Sequence, residues 1–257
     1  MTVSIGIARL AAACAVVFAM LIAPASAQTT LGDMNEEELG AFIREYILAN
    51  PEIIAEASDR YFQMREERIA AESQAALEEN WDAIVNNPEA LSAGDPDASV
   101  TVVEFFDYNC SFCRLATPSI LAMLDKEEDV RFVFLEFPIR GEDSIEVAKA
   151  AMAARNQDKY LEFHGALMVS EGRLDLERAE EIAKNVGLNV KQLRKDMDDP
   201  KIDEVFKAND ELARALYVDG TPAFLIGDEI VRGWPGQAEF RELIATARNT
   251  EETVSAE

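Results

Sequence analysis

The chain has 257 residues, 49% hydrophobic and 28% charged, with a formal net charge of −25. That length and apolar fraction allow one large domain, or a domain with an appendage, around a sizeable core, and they exclude a disordered composition. The acidity argues against nucleic acid and anionic membrane surfaces as partners.

At the N-terminus, Arg9 precedes an apolar run from Leu10 to Ala23 and then Pro24-Ala25-Ser26-Ala27. A basic start, a short apolar stretch and an Ala-x-Ala end predict a secretory signal over residues 1–27, cleaved after Ala27. The run is short for a membrane span, so a soluble exported protein is expected. Cys14 lies inside the apolar run and leaves with it. Of the three cysteines, the mature chain then keeps Cys110 and Cys113, which excludes a scaffold stapled by several spread-out disulfides.

Residues 28–92 read as helical. Asn35 and Glu38 have capping-box spacing, and Leu39, Phe42, Ile43, Tyr46 and Ile47 then fall on one helical face. Asn50-Pro51 predicts a restart, with Asn50 as cap and Pro51 at the first helical position. Ile54, Ala57, Tyr61 and Met64 follow at coiled-coil-like spacing. An apolar stripe this long on helices too short to bury it alone predicts a homo-oligomer. From Gln28 to Pro96 there are sixteen acidic and four basic residues, which would repel between copies unless splayed outward.

Gly94-Asp95-Pro96-Asp97 marks a break. Beyond it, Val100–Phe106 reads as a buried strand leading directly into Cys110-Ser111-Phe112-Cys113, and Ser111 to about Lys126 as a helix. Val130–Phe137 is a second strand, and residues 142–217 are helical in several pieces. Ala223–Ile226, a Gly227-Asp228 turn and Glu229–Arg232 make a hairpin, and Gln237–Arg248 a last helix. Strand, helix, strand, helical insert, hairpin, helix is an α/β layer arrangement: a thioredoxin fold over residues 97–248 with an inserted helical subdomain.

A thiol exchanges disulfides only as thiolate, so the question is what stabilises negative charge on sulfur. Cys110 falls where a strand meets a helix N-terminus, whose free N–H groups and positive dipole end favour a thiolate. Cys113, one turn further in, is shielded. Cys110 is therefore the expected attacking thiol and Cys113 the resolving one. A structural disulfide closing so small a loop would gain little, and structural zinc needs four ligands, against two cysteines and the distant His164. Cu(I) held by the two thiolates is the alternative from another class.

Pro222, in Gly220-Thr221-Pro222-Ala223, is open to two readings: a trans edge-strand proline, or the cis proline that thioredoxin folds place opposite the cysteine pair. The second would expose the backbone of Thr221 to an extended substrate. Glu104 likewise has two readings, a solvated strand position or a buried acid that takes the proton of Cys113. His164 reads as a packed core residue, and Phe112 and Trp234 as lining the active-site surface or packing at its rim.

Glu104-Phe105-Phe106-Asp107-Tyr108-Asn109-Cys110-Ser111-Phe112-Cys113, with Gly220-Thr221-Pro222-Ala223-Phe224 downstream, resembles the DsbA family of periplasmic thiol–disulfide oxidoreductases. The N-terminal helices resemble the oligomerisation segment of its ScsC-like branch. The resemblance implies Cys110 as nucleophile, Cys113 as resolving cysteine, Pro222 as cis-proline with Thr221 beside it, and Glu104 as the buried strand acid. It also implies a periplasmic location, no cofactor, misoxidised or unfolded secreted proteins as substrates, a membrane partner that resets the cysteines, and an oligomer, with a trimer as one form. Between the cysteines the chain departs from the best-known DsbA pattern: Ser111-Phe112 replaces Pro-His, removing one thiolate-stabilising donor.

Overall fold

The computed structural model describes residues 34–126 and 129–254. The predicted signal over residues 1–27, with Cys14, lies outside them. Residues up to Tyr61 and from Phe62 onward form two compact units.

In the first unit, helix α1 (Glu36–Ala49) starts at the predicted capping box, Asn35 and Glu38 each bonding the other's backbone N–H at 3.0 Å. Asn50 closes α1 instead of capping the next helix: its side-chain amide donates to the Tyr46 carbonyl at 2.7 Å. Helix α2 (Glu52–Val85) then begins just after Pro51. Leu39, Phe42, Ile43, Tyr46 and Ile54 are exposed, with Phe42 and Tyr46 stacked 6.3 Å apart.

The second unit is built on a five-stranded sheet in the order β1-β3-β2-β4-β5: β1 (Leu91–Gly94), β2 (Val100–Phe106), β3 (Val130–Glu136), β4 (Ala223–Ile226) and β5 (Glu229–Arg232). The β2–β3 pair is parallel and the other pairs are antiparallel. Strands β2, β4 and β5 have the predicted bounds. β1 falls at the end of the stretch read as helical, and pairs with β3 from Leu91 opposite Phe134 to Gly94 opposite Arg131. Gly94 has φ +99°, and a Cβ there would lie 2.3 Å from the Val130 carbonyl oxygen, so only glycine fits this close strand approach.

Both faces of the sheet are covered. Because side chains alternate along a strand, Val102, Glu104 and Phe106 share one face, and Val103 and Phe105 the other. On the first face lie α3 (Ser111–Asp125), α9 (Gln237–Val254) and, over its far end, the insert of α4 (Glu142–Ala153), α5 (Tyr160–Val169), α6 (Leu176–Asn185) and α7 (Val190–Asp196). On the second, Leu77 and Ile84 of α2 pack with Ala213 of α8 (Pro200–Ala215) and its neighbour Leu216 against Val103, Phe105, Val133 and Leu225. This is the expected thioredoxin-like α/β fold with a helical insert. Among the described residues, no helix is long and apolar enough to cross a membrane.

Candidate active site

Strand β2 ends at Phe106, and the turn beyond it is shaped by Asp107. Its carbonyl accepts the Cys110 N–H at 2.9 Å and its Oδ1 accepts the Asn109 N–H at 2.7 Å. Cys110 is the N-cap of α3, as predicted, with extended backbone (φ −82°, ψ 116°), and its own carbonyl accepts the Arg114 N–H at 3.1 Å. The Cys110 sulfur therefore faces the unsatisfied amides of the first helical turn.

Cys110 and Cys113 are both free thiols and both buried. The environment separates them chemically. The Cys110 thiol is pushed down to about 5, chiefly by hydrogen bonding from Cys113; the Thr221 side chain and the Cys113 and Phe112 amides add to this, against the cost of burial. Cys113 moves far the other way, because burial, donation to Cys110 and the nearby Glu104 all disfavour its anion. One sulfur is thus a thiolate at neutral pH and the other a thiol.

Thr221 closes the site from β4. The Thr221–Pro222 peptide is cis, and the Thr221 carbonyl lies 3.0 Å from Cys110 Sγ, accepting its S–H when the thiol is protonated. The Thr221 hydroxyl is buried with no other partner, which leaves it free to donate to the thiolate. Of the two readings of Pro222, the cis one holds.

Glu104 is buried, 1% exposed, so the solvated reading of this position fails. It sits on the α3 side of β2, and its Oε1 has no hydrogen-bond partner. Burial and then the Cys110 charge raise its pKa well above the ordinary 4.5. A carboxyl in that condition is held as the acid and can pass its proton to Cys113, or take one back.

Other groups at the site gave no signal in the sequence. Arg140, in the β3–α4 loop, places Nη2 3.6 Å from Cys110 Sγ. Asp107 is a hub: besides the Asn109 amide it accepts from Ser144 Oγ at 2.8 Å and from the Arg140 N–H at 2.9 Å. Behind them, Tyr108 and Tyr160 both donate to Glu136 Oε1, at 3.0 and 2.7 Å. Burial raises Glu136 to about 8, with the two tyrosines opposing. His164 Nδ1 lies 3.1 Å from the Tyr108 oxygen. Because the Tyr108 proton is engaged by Glu136, His164 donates from Nδ1, and burial pushes its pKa down to about 3, so it is neutral. His164 is thus a packed, bonded residue, as read.

Phe112, between the cysteines in sequence, is exposed, as are Leu115 in α3 and Ile139 next to Arg140. Trp234 instead packs on Phe224 and Phe240, with centroids at 6.0 and 5.0 Å. Among the described residues, no three His, Cys, Asp or Glu side chains gather in a metal-binding group.

A family model described as "Thioredoxin" matches residues 86–246, and one described as "Copper resistance protein ScsC N-terminal domain" matches residues 36–68. The chain is 30% identical over 153 residues to a probable disulfide bond formation protein D of Bacillus anthracis, covering 54% of this chain and 70% of that one. A thioredoxin-like oxidoreductase from Silicibacter pomeroyi superposes with a TM-score of 0.63 at 40% identity, over 65% of this chain and 97% of the other. ScsC of Proteus mirabilis in a transitional conformation gives 0.63 at 27% identity, over 84% of this chain and 100% of the other. Curated Na(+)/H(+) antiporters NhaA 1 of Mycobacterium are 27% identical over 158 residues, but the chain spans only 26% of their length. With a reactive Cys110–Cys113 pair at the head of α3 and these relatives, the chain belongs to the thioredoxin-like thiol–disulfide oxidoreductases, in the group that contains DsbA and ScsC.

Proposed function

We propose that this protein forms or isomerises disulfides in exported client proteins through a mixed disulfide on Cys110, acting as an oligomer outside the cytoplasm, with a membrane redox partner resetting the cysteine pair. The observation that carries the reading is the opposed acidity of the two sulfurs: Cys110 is pushed down to about 5 and Cys113 far upward. Cys110 attacks or leaves readily, while Cys113, when it is displaced as a thiolate, takes back a proton from the buried acid Glu104. Exposed Phe112, Leu115 and Ile139 around the pair suit an unfolded apolar client.

The oligomer rests on Leu39, Phe42, Ile43, Tyr46 and Ile54, whose exposed stripe lies where the ScsC N-terminal model matches. Several active sites brought to one client favour isomerisation. Cys113→Ser should accumulate clients as adducts on Cys110, visible on non-reducing gels of an exported fraction; an absence of adducts contradicts the proposal. Refolding of a scrambled substrate decides the direction. Light scattering should give an oligomer for the full chain and a smaller mass for Phe42→Glu with Ile54→Glu, and a monomer in both removes the assembly.

A second reading, Cu(I) held by Cys110 and Cys113, is favoured by the copper-resistance description of the N-terminal match. The strongly raised Cys113 thiol opposes it, since both sulfurs would have to ionise. Copper titration of the reduced protein separates the two readings: one tightly held Cu(I) per chain would support the second.

A further inference from the structure

Arg140 is thirty residues from Cys110 in sequence, yet its guanidinium approaches that sulfur to 3.6 Å. The approach is built into the fold, because the Arg140 backbone is held on both sides. Its N–H donates to Asp107 Oδ2 at 2.9 Å, and its carbonyl accepts from Arg173 Nη2 at 3.5 Å. Arg173 is itself tied to Asp143 at 2.7 Å. Asp107 also shapes the turn into Cys110, so one carboxylate fixes both the sulfur and the loop that brings a cation to it.

The titratable groups around Cys110 Sγ come from three elements: Cys113 from α3, Glu104 from β2 and Asp107 from the turn between them. The Asp107 carboxylate opposes a thiolate, Glu104 adds no charge while it keeps its proton, and Arg140 brings the positive charge. Ser111-Phe112, between the cysteines, offers neither a cation nor an imidazole.

We propose that Arg140 is a catalytic residue of the exchange reaction, stabilising the Cys110 thiolate from outside the Cys-x-x-Cys turn and so biasing the pair toward its reduced form. In the oxidising direction a client thiolate attacks Cys110 Sγ, the Cys110–Cys113 bond breaks, and Cys113 leaves with the electron pair and takes a proton. A second client thiolate then attacks the client sulfur of the mixed disulfide and Cys110 leaves as thiolate. The client loses two electrons and the enzyme pair gains them. Arg140 acts on Cys110 as leaving group in that last step, and as nucleophile in the reverse direction. Stabilising the thiolate makes the disulfide form the stronger oxidant.

Arg140 is exposed, so solvent screens its charge and the effect is moderate: about one pKa unit at low salt, or tenfold in thiolate population. The proposal deepens the disulfide-exchange reading, and its test is made on the free enzyme, so failure to trap clients and failure of this proposal remain separate results. The test follows thiolate absorbance against pH in the reduced full chain for wild type, Arg140→Met, Arg140→Gln and Arg140→Lys. The midpoint should rise by about one unit in Met and Gln and return most of the way in Lys, and the gap should shrink by more than half between about 0.05 and 1 M salt. The equilibrium with glutathione should move about tenfold toward the enzyme disulfide in the uncharged variants. Folded Met or Gln variants with an unmoved midpoint at low salt overturn the proposal. So does a rise that salt does not diminish and Lys does not reverse, because that marks a positional effect and not a charge.

Discussion

Cys110 Sγ lies 3.0 Å from the carbonyl oxygen of Thr221, a residue 111 positions further along the chain. The contact joins the head of α3 to the start of β4, two elements separated by the whole helical insert. It brings the Cys110 sulfur against the backbone of the cis Thr221–Pro222 segment, the place where the proposed function would lay a client strand. It also puts the Thr221 hydroxyl, buried without another partner, beside the sulfur that needs a donor.

Thr221→Val therefore removes a donor from the thiolate while keeping the shape. The Cys110 midpoint should rise by about half to one unit, read from iodoacetamide alkylation rates against pH. An unchanged midpoint would show that the hydroxyl contributes nothing to the anion.

Glu104→Gln keeps the size of the side chain and removes its titration. Resolution of a Cys110 mixed disulfide, followed by stopped-flow mixing with a fluorescent peptide disulfide, should slow by about 10²-fold. The substitution should also change stability against pH. Glu104 has a raised folded pKa, so its contribution to stability is complete below the ordinary 4.5 and is lost as pH rises toward the folded value. Urea unfolding of the reduced protein should depend less on pH above the ordinary 4.5 in the variant than in the wild type.

The Tyr108–Glu136–Tyr160 cluster makes a separate prediction. Tyr160→Phe deletes the 2.7 Å bond to a buried carboxyl and should cost about 1–3 kcal/mol in urea unfolding at neutral pH. The sign with pH is again set by a raised acid: stability from Glu136 is complete below 4.5 and is lost as pH climbs through about 8. Glu136→Gln should lessen the fall in stability seen as pH rises from about 4.5 to about 8, the interval between the ordinary and the raised value. A fall as steep as that of the wild type would place the titration elsewhere.

Much of this site was legible in the sequence because its signals are local. Val100–Phe106 is β-branched through Val103 and ends in two phenylalanines, with Glu104 its one charged residue, and a cysteine follows within the turn that starts a helix. The Gly227-Asp228 turn fixed the hairpin, and with it the place of Thr221-Pro222. What stayed hidden depends on convergence. β1 has four residues and pairs with β3 as an edge strand, so nothing in Leu91–Gly94 alone separates it from the helical stretch before it. The far part of α2 reads as more of the same helix, yet Leu77 and Ile84 belong to the core beneath β2. Arg140 is an exposed loop residue whose meaning comes from Asp107. Glu136 ends a strand that looks merely apolar, and its partners Tyr108 and Tyr160 come from two other elements.

The central claim is that Cys110 alone of the pair is a thiolate at neutral pH. The most direct test is the 240 nm absorbance of the reduced protein against pH, for wild type and Cys110→Ser. The account predicts one thiolate per chain titrating near 5, absent in Cys110→Ser. A midpoint near the ordinary thiol value of 9.0, or a signal that survives the loss of Cys110, would contradict it.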